Sequence, residues 1–279
     1  MPQRITSRSN PLIVQLRKLS HDPLAYRQQG RIWLEGDHLC EAYLARGNIP
    51  ELAVIAEPAW EQPRWRALAE SARRIALVPA ALMATLSPHE SAPPLAFVVN
   101  WSAGADIWPD APSVVLDRVQ DAGNVGTILR TAVAFGFTQV LALKGSAGLG
   151  APKVLRAAMG AHFGLHLVET LEESALDALQ PPCLAADAHA PNDLHETALP
   201  WPCAWVFGHE GQGVSATLLQ RCSIALRIPQ PGGEESLNVA AAAAVCLYES
   251  MRQRRPAAPA GPSALMQRQG QGKAKARPR

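Results

Sequence analysis

The sequence predicts an α/β fold, a parallel sheet covered by helices and preceded by a smaller α/β domain. Three observations predict it. Short apolar runs of about four or five residues alternate with segments of helical period along most of the 279 residues. In the second half these runs empty into loops of Gly, Pro and polar residues, as the strands of a buried parallel sheet do. Hydrophobic residues make up 48% of the chain, enough for one large core or two ordinary ones.

The first region opens on a basic stretch, Arg4, Arg8, Arg17, Lys18, Arg27 and Arg31, against only Asp22 and Glu35. Ile32-Trp33-Leu34 reads as a strand, and Asp37 to Arg46 as a helix. Leu52 to Ile55 reads as a strand, Trp65 to Ala72 as a helix and Ile75 to Val78 as a strand. Pro79 to Leu86 reads as a helix and Leu95 to Val99 as a strand. Residues 101–112 mix Gly, Pro and Asp and read as a linker.

The second region starts with the strand Ser113 to Leu116. A helix from Asn124 to Phe135 follows, with Val125, Ile128, Leu129, Ala132 and Val133 at helical spacing. Then come a strand at Gln139 to Leu143, helices at Val154 to Phe163 and Leu171 to Leu179, and a strand at Cys183 to Ala186. Ala204 to Phe207 reads as a core strand, Ser215 to Gln220 as a helix and Ile224 to Ile228 as a strand. An Ala-rich helix runs from Leu237 to Arg252. Past Arg255, Pro, Ala, Gly, Gln and cations dominate, a composition that forms no packed core and reads as disordered. The division is therefore 1–105, 106–255 and a basic tail at 256–279.

Charge and cysteines narrow the function classes. Eight of the 26 Lys and Arg lie from Arg252 to Arg279 with no acid among them, leaving 18 basic against 24 acidic groups elsewhere. Such a tail suits a polyanion such as RNA, or serves as a solubilising end. The five cysteines are odd in number and form no CxxC, so neither a disulfide framework nor a zinc site is expected. No apolar run reaches about 18 residues. The polar start, Met1-Pro2-Gln3-Arg4, has no apolar signal core, so a cytoplasmic protein is expected.

Three strand-to-loop segments carry the candidate chemistry. In the first, Leu116 to Arg130, Asn124 is placed as a helix N-cap and Arg130 lies nearly two turns on. A lone Arg on an otherwise apolar helix faces solvent, a partner or a site. In the second, Val206 to Val214, three glycines surround His209-Glu210, which suits either a tight turn or a ligand close to backbone. In the third, Ile228 to Val239, a Pro/Gly loop leads to Ser236 as N-cap, with Asn238 in the first turn. That is helix capping, or a helix N-terminus offered to a ligand. No Ser-His-Asp, Cys-His, HExxH or P-loop pattern accompanies them. The residues alone indicate a ligand site at the carboxyl ends of parallel strands.

The three segments resemble motifs 1, 2 and 3 of the SpoU/TrmH-type RNA ribose 2′-O-methyltransferases of the SPOUT superfamily. The matching residues are Asn124-x-Gly126-x-x-x-Arg130, Gly208-x-Glu210-Gly211-x-Gly213, and Ile228-Pro229 through Ser236-Leu237-Asn238-Val239. Lys153 to Phe163, with Gly160-Ala161, is similar to the segment between motifs 1 and 2. The stretch from Ile5 through Asn10-Pro11-Leu12 to Leu34-Glu35-Gly36 resembles the family's small substrate domain, of ribosomal-protein-like fold.

The resemblance implies a sheet with a C-terminal trefoil knot, a homodimer, S-adenosylmethionine as methyl donor and RNA as substrate. The N-terminal domain and the basic tail favour ribosomal RNA, with a tRNA 2′-O-methyltransferase of the same family, or a non-catalytic RNA-binding ribosome-assembly protein, as the alternatives. It implies that backbone groups of Gly208, Ile228 and Leu237 hold the cofactor. Arg130 would help deprotonate the 2′-hydroxyl or bind a phosphate beside it. Asn124, Glu210, Ser236 and Asn238 would support the loops and orient the substrate. Two positions depart from the pattern: Gln230 stands where Met is frequent, and Ala240 where Ser is common.

Overall fold

The structure is a computed structural model that describes residues 2–232 and 236–254. Its first part contains β1 (Gln3–Arg4), α1 (Pro11–His21), α2 (Ala25–Gln29), β2 (Arg31–Glu35), α3 (Asp37–Leu44) and β3 (Leu52–Ala56). It continues through α4 (Glu57–Trp60), α5 (Pro63–Glu70), β4 (Ile75–Val78), α6 (Ala80–Ala84) and β5 (Leu95–Asn100). The strands form a mixed sheet in the order β1-β4-β3-β5-β2, with β5 antiparallel to both its neighbours.

Three helices here, α1, α2 and the single turn α4, are absent from the sequence reading. Asn10 caps α1, its Oδ1 accepting from Leu12 N at 2.9 Å, and Pro11 fills the first turn, where no amide is needed. Ile13, Leu16, Leu19 and Ser20 then face the core. The short α2 ends at Gly30, whose φ of 61° is a left-handed C-cap.

The second part contains β6 (Ser113–Leu116), α7 (Ala122–Ala134), β7 (Gln139–Leu143), α8 (Pro152–Ala158), β8 (His166–Leu171) and β9 (Cys183–Ala186). After these come β10 (Asn192–Asp193), β11 (Ala204–Phe207), α9 (Ala216–Arg221), β12 (Ile224–Arg227) and α10 (Val239–Arg254). All seven strands pair in parallel, in the order β10-β12-β9-β11-β6-β7-β8. Every residue of β6, β7 and β11 is buried, as expected for strands covered on both faces.

Several boundaries differ from the sequence reading. The helix placed at 154–163 ends at Ala158, and a 3₁₀ turn covers Ala161–Gly164. The segment 171–179 is the end of β8 followed by a 3₁₀ turn at Glu173–Ala178, not an α-helix. The residues placed as a linker are tied down. Gly104 N donates to Leu167 O at 2.7 Å, and Trp108 stacks on His166 at 4.0 Å. All five cysteines are free, with Cys40, Cys203 and Cys246 buried and Cys183 and Cys222 half-buried. Among the described residues no helix is long and apolar enough to cross a membrane. The tail at 256–279 lies outside the described residues.

Candidate functional site

Strand order brings two of the three loops together. β6 and β11 are adjacent, with Leu116 opposite Phe207, so the loops that leave their carboxyl ends start side by side. β12 lies beyond β9, and its loop returns to α10, which packs against α7 and β11. The loops that leave β11 and β12, together with the one after β9, line a cleft of about 880 Å³ beyond the strand ends, and the loop after β6 lies behind Glu210 without lining it. Gly208, Ile228 and Leu237 line it, as do Glu210, Gln230 and Ser236.

A hydrogen-bonded chain ties the loops at one side of this cleft. Asn238 Nδ2 donates to Asn124 Oδ1 at 3.0 Å, and Asn124 Nδ2 donates to Glu210 Oε1 at 3.1 Å. The Glu210 carboxylate also accepts the backbone N–H groups of Asp121 at 3.1 Å and Gln120 at 3.3 Å. Partial burial pushes its pKa up, but the bonds from Asn124 and the backbone amides outweigh this and hold the carboxyl below the usual range.

Two caps differ from the sequence reading. Asp121, not Asn124, is the N-cap of α7, its Oδ1 accepting from Asn124 N at 2.8 Å. The Asn124 side chain is thereby released to bridge Glu210 and Asn238. At α10 the capping oxygen belongs to Asn238, which accepts from Ala240 N at 2.9 Å and Ala241 N at 3.3 Å. Ser236 lies before this turn, exposed along the cleft.

The glycines are demanded by close approach. A Cβ at Gly208 would lie 2.1 Å from the Gly213 carbonyl carbon, because His209 and Gly213 exchange both backbone hydrogen bonds across the turn. Gly213 has φ +67°, a left-handed value that suits glycine. In α7, a Cβ at Gly126 would come 2.4 Å from Ala157 Cβ and 2.9 Å from Ala158 N, so Gly126 lets α8 pack directly on the helix. Arg130 lies one turn further along α7. Its side chain is exposed, and among the described residues that side chain makes no hydrogen bond or ion pair.

Sequence reasoning missed one anchor of the site. Asp117 is 1% exposed at the end of β6. Its carboxylate accepts from Ser215 N at 2.7 Å and from Arg118 Nε at 2.8 Å, while Arg118 Nη1 reaches Gln212 Oε1 at 3.0 Å. The pair pins the 208–215 loop to β6. An acid directly after an apolar strand was the available signal. Away from the cleft, Asp193, His195 and Glu196 lie within 4.8 Å of one another, but Asp193 is already paired with Arg227.

The sequence profile of the SpoU rRNA Methylase family matches residues 111–248. An uncharacterized tRNA/rRNA methyltransferase of Synechocystis sp. is 35% identical over 264 residues, 90% of this chain and 94% of that protein. The 23S rRNA (guanosine-2′-O-)-methyltransferase RlmB of Bordetella pertussis is 39% identical over 148 residues, 50% of this chain and 59% of that protein. Among solved structures, an RNA 2′-O ribose methyltransferase has 31% identity and a TM-score of 0.75, covering 90% of this chain and 99% of that one. An AdoMet-bound rRNA methyltransferase from Sinorhizobium meliloti shares the fold, with 23% identity and a TM-score of 0.78 over 91% of this chain and 99% of that one. The chain belongs to the SpoU rRNA methylase family.

Proposed function

We propose that this protein transfers a methyl group from S-adenosylmethionine to a ribose 2′-hydroxyl of ribosomal RNA. The observation that carries this reading is the Asn238–Asn124–Glu210 chain, which joins the three family motifs to one another and reaches the cleft through Glu210. The relatives named for 23S rRNA support the choice of RNA.

The residues present fit the cofactor. The cleft borders the backbone of Gly208, Ile228 and Leu237, and it holds an acceptor without a donor among the described residues, the buried Oε1 of Gln230. An adenosyl group has an amino group and ribose hydroxyls that such an acceptor would receive. When bound, S-adenosylmethionine supplies an electrophilic methyl on a positively charged sulfur. Transfer to a hydroxyl leaves a neutral thioether and one proton, and this chemistry draws on no metal.

The protein's own groups position the partners. Gly208, Ile228 and Leu237 hold the adenosyl part, and Asn124, Glu210, Ser236 and Asn238 keep the loops in register. Arg130, exposed and cationic at neutral pH, binds an RNA phosphate and sets the hydroxyl in line with the methyl. Residues 1–105 serve as the substrate RNA-binding domain, of ribosomal-protein-like fold, 106–255 as the methyltransferase domain and 256–279 as a basic RNA-binding tail.

The return of the chain from β12 to α10, across the β11 side, supports a C-terminal trefoil knot. The exposed Val245 and Tyr248, one helical turn apart on α10, support a homodimer through that helix. The proposed setting is the cytoplasm, where rRNA is made and folded.

Tritium transfer from labelled S-adenosylmethionine into separated rRNA and tRNA tests the substrate. Label in rRNA is expected. Label in tRNA alone overturns the rRNA assignment.

A further inference from the structure

The two sheets are joined by a buried polar contact that the proposed chemistry does not use. Tyr26, on α2 beside the first sheet, is 1% exposed. Its hydroxyl donates to the Glu169 carboxylate on β8 of the second sheet, 2.6 Å from Oε2 and 2.8 Å from Oε1. Arg27 Nη2 donates to the same carboxylate at 2.9 Å, and so does the backbone N–H of Leu149 at 3.0 Å. The Glu169 side chain is 7% exposed. A carboxylate on an edge strand is thus buried by three donors, two of them from the other sheet's layer.

The ring of Tyr26 is seated as firmly as its hydroxyl. A Cβ at Gly148 would lie 2.5 Å from the Tyr26 oxygen, and one at Gly150 would lie 2.6 Å from its Cδ2. The Trp101 ring meets Tyr26 edge-on at 5.8 Å. Leu149, between the two glycines, is held from its other side, where His162 Nε2 donates to its carbonyl at 2.8 Å. Burial pulls the His162 pKa down to about 4, so the imidazole is neutral at pH 7.

This socket is continuous with the site. The loop that carries Gly148 and Gly150 is bonded to the segment after β6, with Ala147 N on Val119 O at 2.9 Å and Ser146 Oγ on Leu116 O at 3.0 Å. The next residues, Gln120 and Asp121, give Glu210 its backbone hydrogen bonds. Tyr26 therefore touches a loop that is itself bonded to the first motif.

Apolar packing alone would hold two layers together. A buried carboxylate pays a desolvation cost and is weak evidence for stability, but its short, directed hydrogen bonds select one relative orientation. We propose that Tyr26 is a positioning residue, which with Glu169 fixes the angle of the 1–105 domain against the methyltransferase cleft. RNA held by the first domain then meets the cleft with its target ribose in register. This inference rests on the RNA methyltransfer reading.

The test uses the full chain as wild type, Tyr26→Phe and Glu169→Gln, each assayed well below its own melting temperature. Tyr26→Phe keeps the ring in its socket and removes only the hydroxyl. Expected are S-adenosylmethionine affinity within about twofold of wild type by calorimetry, RNA affinity within about threefold, and kcat on rRNA lower by about tenfold to a hundredfold, as for a misplaced reacting group. Small-angle scattering should show a larger maximum dimension in both variants. Unchanged kcat and unchanged scattering in both folded variants overturn the proposal and leave Tyr26 as ordinary packing. A wild type that transfers no methyl group refutes the methyltransfer reading, and the scattering comparison then decides the coupling alone.

Discussion

Asn124 Nδ2 donates to Glu210 Oε1 at 3.1 Å, so the first turn of α7 is tied to the loop after β11 across 86 residues of sequence. The same Asn124 amide accepts from Asn238 through its oxygen. One side chain therefore satisfies two loops at once. Asn124→Ala removes both bonds and leaves the cap at Asp121 intact. The expected result is S-adenosylmethionine affinity weaker by about tenfold, the worth of one or two net hydrogen bonds. Calorimetric titration checks it, and unchanged affinity would detach the network from the cofactor.

Glu210 gives this network a pH dependence. Its folded-state pKa lies below the ordinary carboxyl value of 4.5, so folding favours the ionised form. The linked stability is therefore fully present above that value and is lost as pH falls through the lower, folded-state value. Melting temperatures of wild type and Glu210→Gln should differ near pH 7 and converge on acidification below pH 4.5. A gap that widens on acidification would reverse the sign assigned here.

Gly126 tests packing apart from chemistry. Gly126→Ala places a Cβ 2.9 Å from both Ala158 N and Val154 O, which are backbone atoms that cannot rotate aside. The overpacking should cost about 1–3 kcal/mol, measured by urea unfolding. A more stable variant would show that α8 can shift away from α7 at little cost.

Arg130 tests the substrate side. It is exposed on α7 and is not among the residues that line the cleft. Arg130→Ala should lower kcat by about a hundredfold or more while S-adenosylmethionine affinity stays within twofold, because the lost contact is to RNA. Near-normal turnover would remove it from the reaction.

The legible parts of this fold were those set by local pattern. β4 and β6 were read to the residue, because apolar runs bounded by polar loops define a buried strand on their own. The three loops were legible as a family signature, and Gly208, Ile228 and Leu237 do border one cleft. What stayed hidden depends on distant partners. β8 carries Glu169 in its middle, a residue that breaks the apolar pattern and is buried only because Tyr26 and Arg27 arrive from elsewhere.

The capping exchange at α7 has a similar cause. Asp121 and Asn124 are both good caps three residues apart, and only the contact to Glu210 shows which side chain is needed elsewhere. By contrast, α1 is announced locally, by Asn10-Pro11 as cap and first turn and by Ile13, Leu16 and Leu19 at helical spacing.

The central claim is the acceptor atom, a ribose 2′-hydroxyl. It is tested most directly by incubating the protein with S-adenosylmethionine and unmodified rRNA, digesting the RNA to nucleosides and weighing the products by mass spectrometry. The expected product is a 2′-O-methylated nucleoside whose extra mass stays with the sugar on fragmentation. A methyl group that stays with the base, or no methylated nucleoside at all, would contradict it.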